Sequence, residues 1–362
     1  MGTRPEIIKL APVVRECMAR RIPYFVIHTG QHYDYAMDKI FFDDLNIPTN
    51  VINLHVGSGS HGETIGKMIP AIERIIKERR PDVMLVQGDT NSALAGALAA
   101  VKIHIPVGHI EAGLRSCDRL QPEEYNRRAI DHISTYLFAP TRRAEENLHR
   151  EGIRTNSNFG YRVYVTGNTI VDATSQALAI GQRKSRILSL HKLSPKGYLL
   201  LTLHREENVE SKDILRNLLE GSIAVARISV LPLLIPLHPR TKRNVEKFGL
   251  GPLLTDENVI LIEPLGYLDF LMLEANAILV LSDSGGVTEE CCILQVPSVS
   301  LRNHSDRPET IEIGASMLAG VTKEGILEAA QTMMEKTHDW QHPFGERGAS
   351  KKIIDILSAA ND

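Results

Sequence analysis

Cysteine and large aromatic side chains are scarce in this 362-residue chain: Phe, Trp and Tyr together make 5%, one residue is tryptophan and four are cysteine. Cys17, Cys117, Cys291 and Cys292 form no CxxC spacing, which excludes a zinc ribbon or a disulfide framework. Cys291 and Cys292 are adjacent and therefore poor partners for an unstrained disulfide. Four such thiols read as reduced, structural residues of a cytoplasmic protein. Long apolar runs are missing as well. Those around 198–203 and 277–281 are strand-length, far short of the roughly 18 residues that cross a bilayer. Arg4, Glu6 and Lys9 interrupt any signal-peptide layout at the start. An excess of positive charge is also lacking: Lys and Arg total 41 against 44 Asp and Glu, a net charge of −3. That balance argues against a nucleic-acid partner.

What the chain does have is alternation. Short apolar runs at 24–28, 83–86, 105–110, 137–139 and 163–166 are separated by helical patterns at 6–20, 63–79, 91–102, 122–134 and 142–151. Strands alternating with helices predict an α/β protein with parallel sheets, and apolar runs without polar alternation predict strands buried on both faces. The pattern restarts with a helix over 170–188, then strands at 198–203, 231–237, 259–263, 277–281 and 298–300. A last helix is expected over 348–360. At roughly 150 residues per domain the length suggests two. Residues 1–169 read as the first Rossmann-like domain, 170–345 as the second and 346–362 as a helix returning toward the first. Gly2-Thr3-Arg4-Pro5 reads as a strand-to-helix turn with no strand before it, so a late start and a missing first strand are expected.

Several strand ends carry polar residues where open α/β sheets bind ligands. Gly88-Asp89-Thr90 follows one strand, His109-Ile110-Glu111-Ala112-Gly113-Leu114-Arg115 the next, and Pro122-Glu123-Glu124 opens a helix. Capping explains an Asp or Thr at such a place, and the helix dipole explains one of Glu123 and Glu124. A carboxylate at two successive strand ends is less expected from capping, and carboxylates gathered in one cleft would raise each other's pKa and suit proton transfer. In the second half, Ser282-Asp283-Ser284-Gly285-Gly286 precedes a helix and offers backbone N–H groups to an anion, although a plain tight turn uses the same residues. Glu290, in the first turn of that helix, could accept from a ribose diol or compensate the dipole. His204-Arg205 and His238-Pro239-Arg240 follow successive strands and suit the rim of a diphosphate site, which Arg4 and Arg307 could join. Gly66-Lys67 lacks the other P-loop residues, there is no GxGxxG, and no His or Cys spacing suits a metal.

The segments Gly2-Thr3-Arg4-Pro5-Glu6-Ile7-Ile8-Lys9, Gly88-Asp89-Thr90, His109 to Arg115, Pro122-Glu123-Glu124, Thr202-Leu203-His204-Arg205, Ser282 to Gly286 and Arg307-Pro308-Glu309 resemble, in order and over nearly the whole chain, the non-hydrolysing UDP-N-acetylglucosamine 2-epimerases. The wording His28-Thr29-Gly30-Gln31-His32-Tyr33 and Gly57-Ser58-Gly59-Ser60-His61 is most similar to archaeal members and to epimerases of diacetamido uronic acid nucleotides.

The resemblance implies a GT-B architecture of two Rossmann-like domains with an interdomain cleft. It implies reversible conversion of UDP-GlcNAc to UDP-ManNAc, by elimination of UDP to a 2-acetamidoglucal and re-addition. No cofactor or metal is implied, and a homodimer is. Asp89, Glu111 and Glu123 match the family's acids and bases, with their assignment to the two faces of C2 left open. Arg4, His204, Ser284, Gly285 and Gly286 match positions around the UDP phosphates, with His238 on the same rim. Glu290 matches the ribose contact, Phe270 lies in the stretch beside the uracil, and Lys9 and Arg307 are further carry-overs. Tyr33, Asp34 and Lys67 depart from the bacterial residues of a second, activating UDP-GlcNAc site, so that regulation is not expected. The rival readings are a hydrolysing epimerase, a GT-B glycosyltransferase and a noncatalytic nucleotide-sugar binder.

Overall fold

The computed structural model describes residues 1–30, 42, 44, 45, 47, 51–57, 59–116, 119, 121–155, 157–305, 307–337 and 339–360. Gln31, His32, Tyr33, Asp34, Ser58 and Cys117, which entered the sequence reading, lie outside the described residues. The chain divides into two compact units, Met1–Gln176 with Phe344–Asp362, and Ala177–Pro343.

In the first unit, β1 (Val26–His28) and β2 (Val51–Asn53) pair in parallel, and β3 (Met84–Gln87), β4 (Val107–Ile110), β5 (Tyr136–Ala139) and β6 (Arg162–Val165) form a four-stranded parallel sheet in that order. All four residues of β4 and of β5 are buried, as expected of strands covered on both faces. Helices α1 (Arg4–Arg20), α2 (His61–Arg79), α3 (Asn91–Val101), α4 (Pro122–Ile133), α5 (Arg142–Arg150) and α6 (Thr169–Lys184) link the strands, α6 running on into the second unit. Alanines do much of the packing. Ala93, Ala97 and Ala100 of α3 share a cluster with Met68, Ile72 and Ile76 of α2, because a side chain of one carbon lets the two helices approach closely.

Helix α1 starts where Pro5 was expected to start it. Thr3 is its N-cap, and Glu6 Oε2 accepts from the Gly2 and Thr3 amides at 2.9 Å each and from Thr3 Oγ1 at 3.0 Å. Met1 already lies along β1: its ammonium donates to Ile27 O at 2.9 Å, and Thr29 N donates to Met1 O at 3.0 Å. Gly2 has no alternative, since a Cβ there would stand 2.1 Å from both Thr29 Oγ1 and Ser92 Oγ.

The second unit holds β7 (Leu199–Thr202), β8 (Leu233–Pro236), β9 (Val259–Ile262), β10 (Leu279–Ser282), β11 (Ser298–Ser300) and β12 (Ser316–Leu318) in one parallel sheet. Its order is β12-β11-β10-β7-β8-β9. The connecting helices are α7 (Lys212–Ser229), α8 (Pro239–Phe248), α9 (Tyr267–Asn276), α10 (Gly285–Ile293) and α11 (Lys323–Glu335), with single turns at Ile187–Leu190, Glu206–Val209 and Pro308–Glu312. Leu199, Leu201, Leu233, Leu279 and Leu281 meet Leu215, Leu218 and Leu219 of α7 in the main core.

The helix expected over 170–188 is broken. It ends at Lys184, where Ser185 Oγ donates to Asp269 at 2.5 Å and accepts from Ile187 N at 3.3 Å, starting a new turn. The last helix, α12 (Ala349–Ala359), packs on α1, with Ile353, Ile354 and Leu357 against Leu10, Val13 and Cys17. Asp172 ties the returning chain down by accepting from Gly348 N at 2.6 Å and Ser350 N at 2.8 Å.

Candidate active site

In the first unit, the strand-end residues are held by charge. Glu111 follows β4 with a left-handed backbone, φ 75°, a conformation that disfavours any residue with a Cβ. Its amide donates to Phe138 O at 3.1 Å, its Oε1 accepts from Lys9 Nζ at 2.7 Å, and its Oε2 accepts from Gln87 Nε2. Lys9 and Glu111 are both buried. Strain that surrounding contacts hold in place is the kind found at functional sites.

Asp89, one residue past the Gly88 turn, is partly exposed and paired with Arg127. Its carbonyl accepts from Asn126 Nδ2 at 2.9 Å. Arg127 also reaches Glu124 at 3.2 Å, and Glu124 accepts in turn from Arg128 Nε at 2.9 Å and from Ser116 N and Oγ at 3.0 Å. Asp89 and Glu111 are therefore each met by a cation. Glu123 stands exposed in the first turn of α4, while Glu124 beside it is buried in this network. Arg4, at the first position of α1, is half-buried.

Behind Gly88 lies a second layer that sequence reasoning did not assign. His109 Nδ1 is 2.6 Å from Asp131 Oδ1, and its Nε2 is 2.8 Å from Gly88 O. Arg115 pairs with Asp131 at 2.8 Å and with Glu151 at 2.5 Å. Complete burial alone would raise the Asp131 carboxyl, but the charges and hydrogen bonds of His109 and Arg115 overcome it and hold it below its ordinary range. Gly113 is needed here, because at φ 82° a Cβ would meet Ala144 O at 2.2 Å.

In the second unit, Asp283 organises the loop after β7. It is fully buried and accepts from the amides of His204 and Arg205 at 3.1 Å and from Asn208 Nδ2 at 3.2 Å. His204 Nδ1 is 3.3 Å from its other oxygen. The His204 ring stands 5.8 Å from that of His238, whose Nδ1 caps α8 by accepting from Arg240 N at 3.2 Å. Asp283 belongs to a segment the sequence reading quoted, but only the hydrogen-bond geometry reveals its task.

Ser284 caps α10, its Oγ accepting from Val287 N at 3.5 Å. The amides of Gly285 and Gly286 begin the helix and have no intrahelical acceptor, which is the arrangement that takes an anion. Because α10 begins at Gly285, Glu290 falls in its second turn rather than its first. It is buried and accepts from the Tyr267 hydroxyl at 2.7 Å. Phe270 is half-buried on α9 and packs against the cluster around Tyr198 and Val280. Arg307 Nε pairs with buried Glu289 at 2.7 Å. Burial pushes the Cys292 thiol up to about 12 and Cys291 well above its ordinary value, so both are inert packing residues. Among the described residues no group of three or more His, Cys, Asp or Glu could hold a metal ion, and no helix is long and apolar enough to cross a membrane.

Comparison with known proteins agrees over the whole chain. The chain is 49% identical to a UDP-N-acetylglucosamine 2-epimerase of Methanocaldococcus jannaschii over 99% of its own length and 97% of the relative's. It is 38% identical to a UDP-2,3-diacetamido-2,3-dideoxy-D-glucuronate 2-epimerase of Pseudomonas aeruginosa, over 99% of this chain and 98% of that one. The crystal structure of the M. jannaschii epimerase in complex with UDP-GlcNAc and UDP superimposes with a TM-score of 0.91, covering 99% and 98% of the two chains at 49% identity. That of the Neisseria meningitidis UDP-GlcNAc 2-epimerase bound to UDP-GlcNAc gives 0.88 at 33% identity, with the same coverage. These are structures of the GT-B-like class that the resemblance implied. The family model described as UDP-N-acetylglucosamine 2-epimerase matches residues 15–358, and the chain belongs to that family.

Proposed function

We propose that this protein interconverts UDP-GlcNAc and UDP-ManNAc without hydrolysis. The observation that carries the reading is Glu111: an ionisable side chain held in strained backbone at a strand end by Lys9 and Gln87, in a chain that matches the epimerase family throughout. In the reaction a base takes the C2 hydrogen as the C1–O bond breaks, and the electron pair forms the C1–C2 double bond of a 2-acetamidoglucal. UDP leaves with the bonding electrons of the C1–O bond, then adds back to C1 while a proton is delivered to the opposite face of C2.

Asp89, Glu111 and Glu123 are the proposed proton-handling groups. Each buried or paired carboxylate has a reason to sit where it does: Lys9 and Arg127 fix Glu111 and Asp89 in single positions, as proton transfer in a transition state demands. Arg4, His204, His238, the Ser284–Gly286 turn and Arg307 are proposed to meet the diphosphate, where charge builds on the leaving group. Phe270 is proposed beside the uracil and Glu290 on the ribose. A cytoplasmic homodimer completes the reading, on the buried reduced thiols and the family resemblance.

Proton NMR of the protein with UDP-GlcNAc in D2O tests this. UDP-ManNAc with deuterium at C2 in both epimers is the expected result. Free ManNAc and UDP would move the protein to the hydrolysing branch, and turnover only of a diacetamido uronate nucleotide would move it to that substrate.

A further inference from the structure

The turn at Gly88 and Asp89 is gripped at two points, and both grips belong to one circuit of ionisable groups. On one side His109, within β4, has its Nε2 2.8 Å from Gly88 O. A carbonyl oxygen only accepts, so Nε2 carries a hydrogen and donates it. A second hydrogen bond joins Nδ1 to Asp131 Oδ1 at 2.6 Å, and the two together fix the ring in one orientation. On the other side Arg127 holds the Asp89 carboxylate. Between these ends every link is an ion pair. Arg127 meets Glu124 at 3.2 Å, Glu124 meets Arg128 at 2.9 Å and Arg128 meets Glu151 at 2.6 Å. Glu151 meets Arg115 at 2.5 Å, and Arg115 meets Asp131 at 2.8 Å. The Arg128–Glu151 pair thus joins the network around Asp89 to the layer behind Gly88.

Helix α4 makes the circuit possible. Glu124, Arg127, Arg128 and Asp131 stand at i, i+3, i+4 and i+7, so they share one face of that helix. The face meets β4 at His109, the loop after β4 at Arg115 and the end of α5 at Glu151. Asp131 also accepts from Gly113 N at 3.2 Å, which ties the same loop down by its backbone. From Asp89 to Asp131 the signs alternate, so each charge is flanked by its opposite. The side chains of Glu124, Arg127, Arg115, Asp131 and His109 are at most 6% exposed. Buried ion pairs are a weak source of stability, because well-packed apolar residues of similar volume often do as well. A fixed geometry is the stronger reason for a circuit that begins and ends on one turn.

We propose that His109 is a positioning residue for Asp89: its bond to Gly88 O sets the turn from which Asp89 projects, and the circuit through Asp131, Arg115, Glu151, Arg128 and Glu124 couples that setting to Arg127, which holds the carboxylate. The proposal rests on the reading of Asp89 as a proton-handling group. Backbone and side chain of Asp89 are then set together. A shift at either grip misplaces the carboxylate relative to C2 of the sugar, and proton transfer is sensitive to such a shift. Glu151, which touches neither Gly88 nor Asp89, acts on them only through the chain of contacts.

Double-variant cycles test this, read as the rate of deuterium uptake at C2 of UDP-GlcNAc in D2O. His109→Leu is expected to slow uptake roughly 10- to 100-fold, and Glu151→Leu roughly 2- to 30-fold. In an Asp89→Asn background neither is expected to cause a further loss, because a residue that acts through Asp89 then has nothing left to position. A merely structural role lowers the rate by the same factor in both backgrounds. Losses that multiply in this way overturn the positioning role, and so does uptake at the wild-type rate in His109→Leu. Should His109→Leu not fold, Glu151→Leu carries the same cycle from a side chain 20% exposed, and its losses multiplying, or its uptake matching the wild type, overturns the coupling. Asp89→Asn at the wild-type rate overturns the role of Asp89, and the positioning role with it. A wild type that takes up no deuterium overturns the epimerase reading itself.

Discussion

Lys9 Nζ lies 2.7 Å from Glu111 Oε1 across 102 positions of sequence, with both side chains buried. The first turns of α1 and the end of β4 are thereby locked together at the point where proton transfer is proposed. Removing the cation takes the Lys9 partner from a buried carboxylate, and breaking a buried pair in this way costs about 3–5 kcal/mol. Lys9→Met is expected to lower stability in urea by that order and to slow turnover. Lys9→Met/Glu111→Leu is expected to regain most of the stability and none of the activity. Equal stabilities for the wild type and Lys9→Met would show that the pair carries no such burden.

Asp89→Asn and Glu111→Gln change charge with little change in shape. Each is expected to lower kcat by roughly 10²–10⁴-fold and to leave UDP binding within a few-fold of the wild type. Deuterium exchange at C2, followed by NMR, checks this directly, and full exchange in either variant would remove that residue from the chemistry.

Asp283 gathers three N–H donors around the loop that presents His204. All three bonds end on Oδ2, so an asparagine oxygen placed there keeps the acceptor, but the negative charge is lost and an NH2 group replaces the oxygen that faces the His204 amide and Nδ1. Asp283→Asn is expected to cost about 1–3 kcal/mol of stability and to raise KM together with the loss of kcat. His204→Ala should leave the fold intact and slow C1–O cleavage, by roughly 10²–10³-fold if it is equivalent to losing one donor to the developing charge. Thermal melting beside steady-state kinetics distinguishes the two.

Acid should expose the role of Asp131. Its carboxyl is held below the ordinary value of 3.8, against the effect of burial, by His109 and Arg115. A depressed folded-state pKa contributes stability that is fully present above the unfolded value and is lost as pH falls through the folded one. The first unit is therefore expected to lose stability below about pH 4, and Asp131→Asn, with no carboxyl to protonate, to show a flatter acid limb. Urea midpoints measured from pH 7 down to pH 3 decide it, and parallel acid limbs would exclude the linkage.

Sequence periodicity was enough to find most of the sheet, because buried parallel strands are apolar without interruption and their ends carry Gly and polar residues. Observed strand bounds differ from the expected ones by one or two residues at most ends, where apolar side chains continue past the last ladder bond. The strands β2 and β12, three residues each, were not expected from the sequence. Asp89 and Glu111 could be singled out since each follows a strand directly. Lys9, Arg127 and Asp283 could not be given partners, because nothing along the chain reports which distant side chain faces them. Glu123 and Glu124 show the same limit: they are adjacent and alike in sequence, yet one is exposed and the other fully engaged.

The return of residues 344–362 to the first unit has a consequence for biosynthesis. The seam of Ile353, Ile354 and Leu357 against α1 joins the first described helix with the last one. Ala177–Pro343 can complete its own core while translation continues, whereas the first unit waits for its final helix. Until α12 is made, Leu10, Val13 and Cys17 lack the cover of Ile353, Ile354 and Leu357 and are left with Ile110, Tyr136 and Phe138 of the sheet.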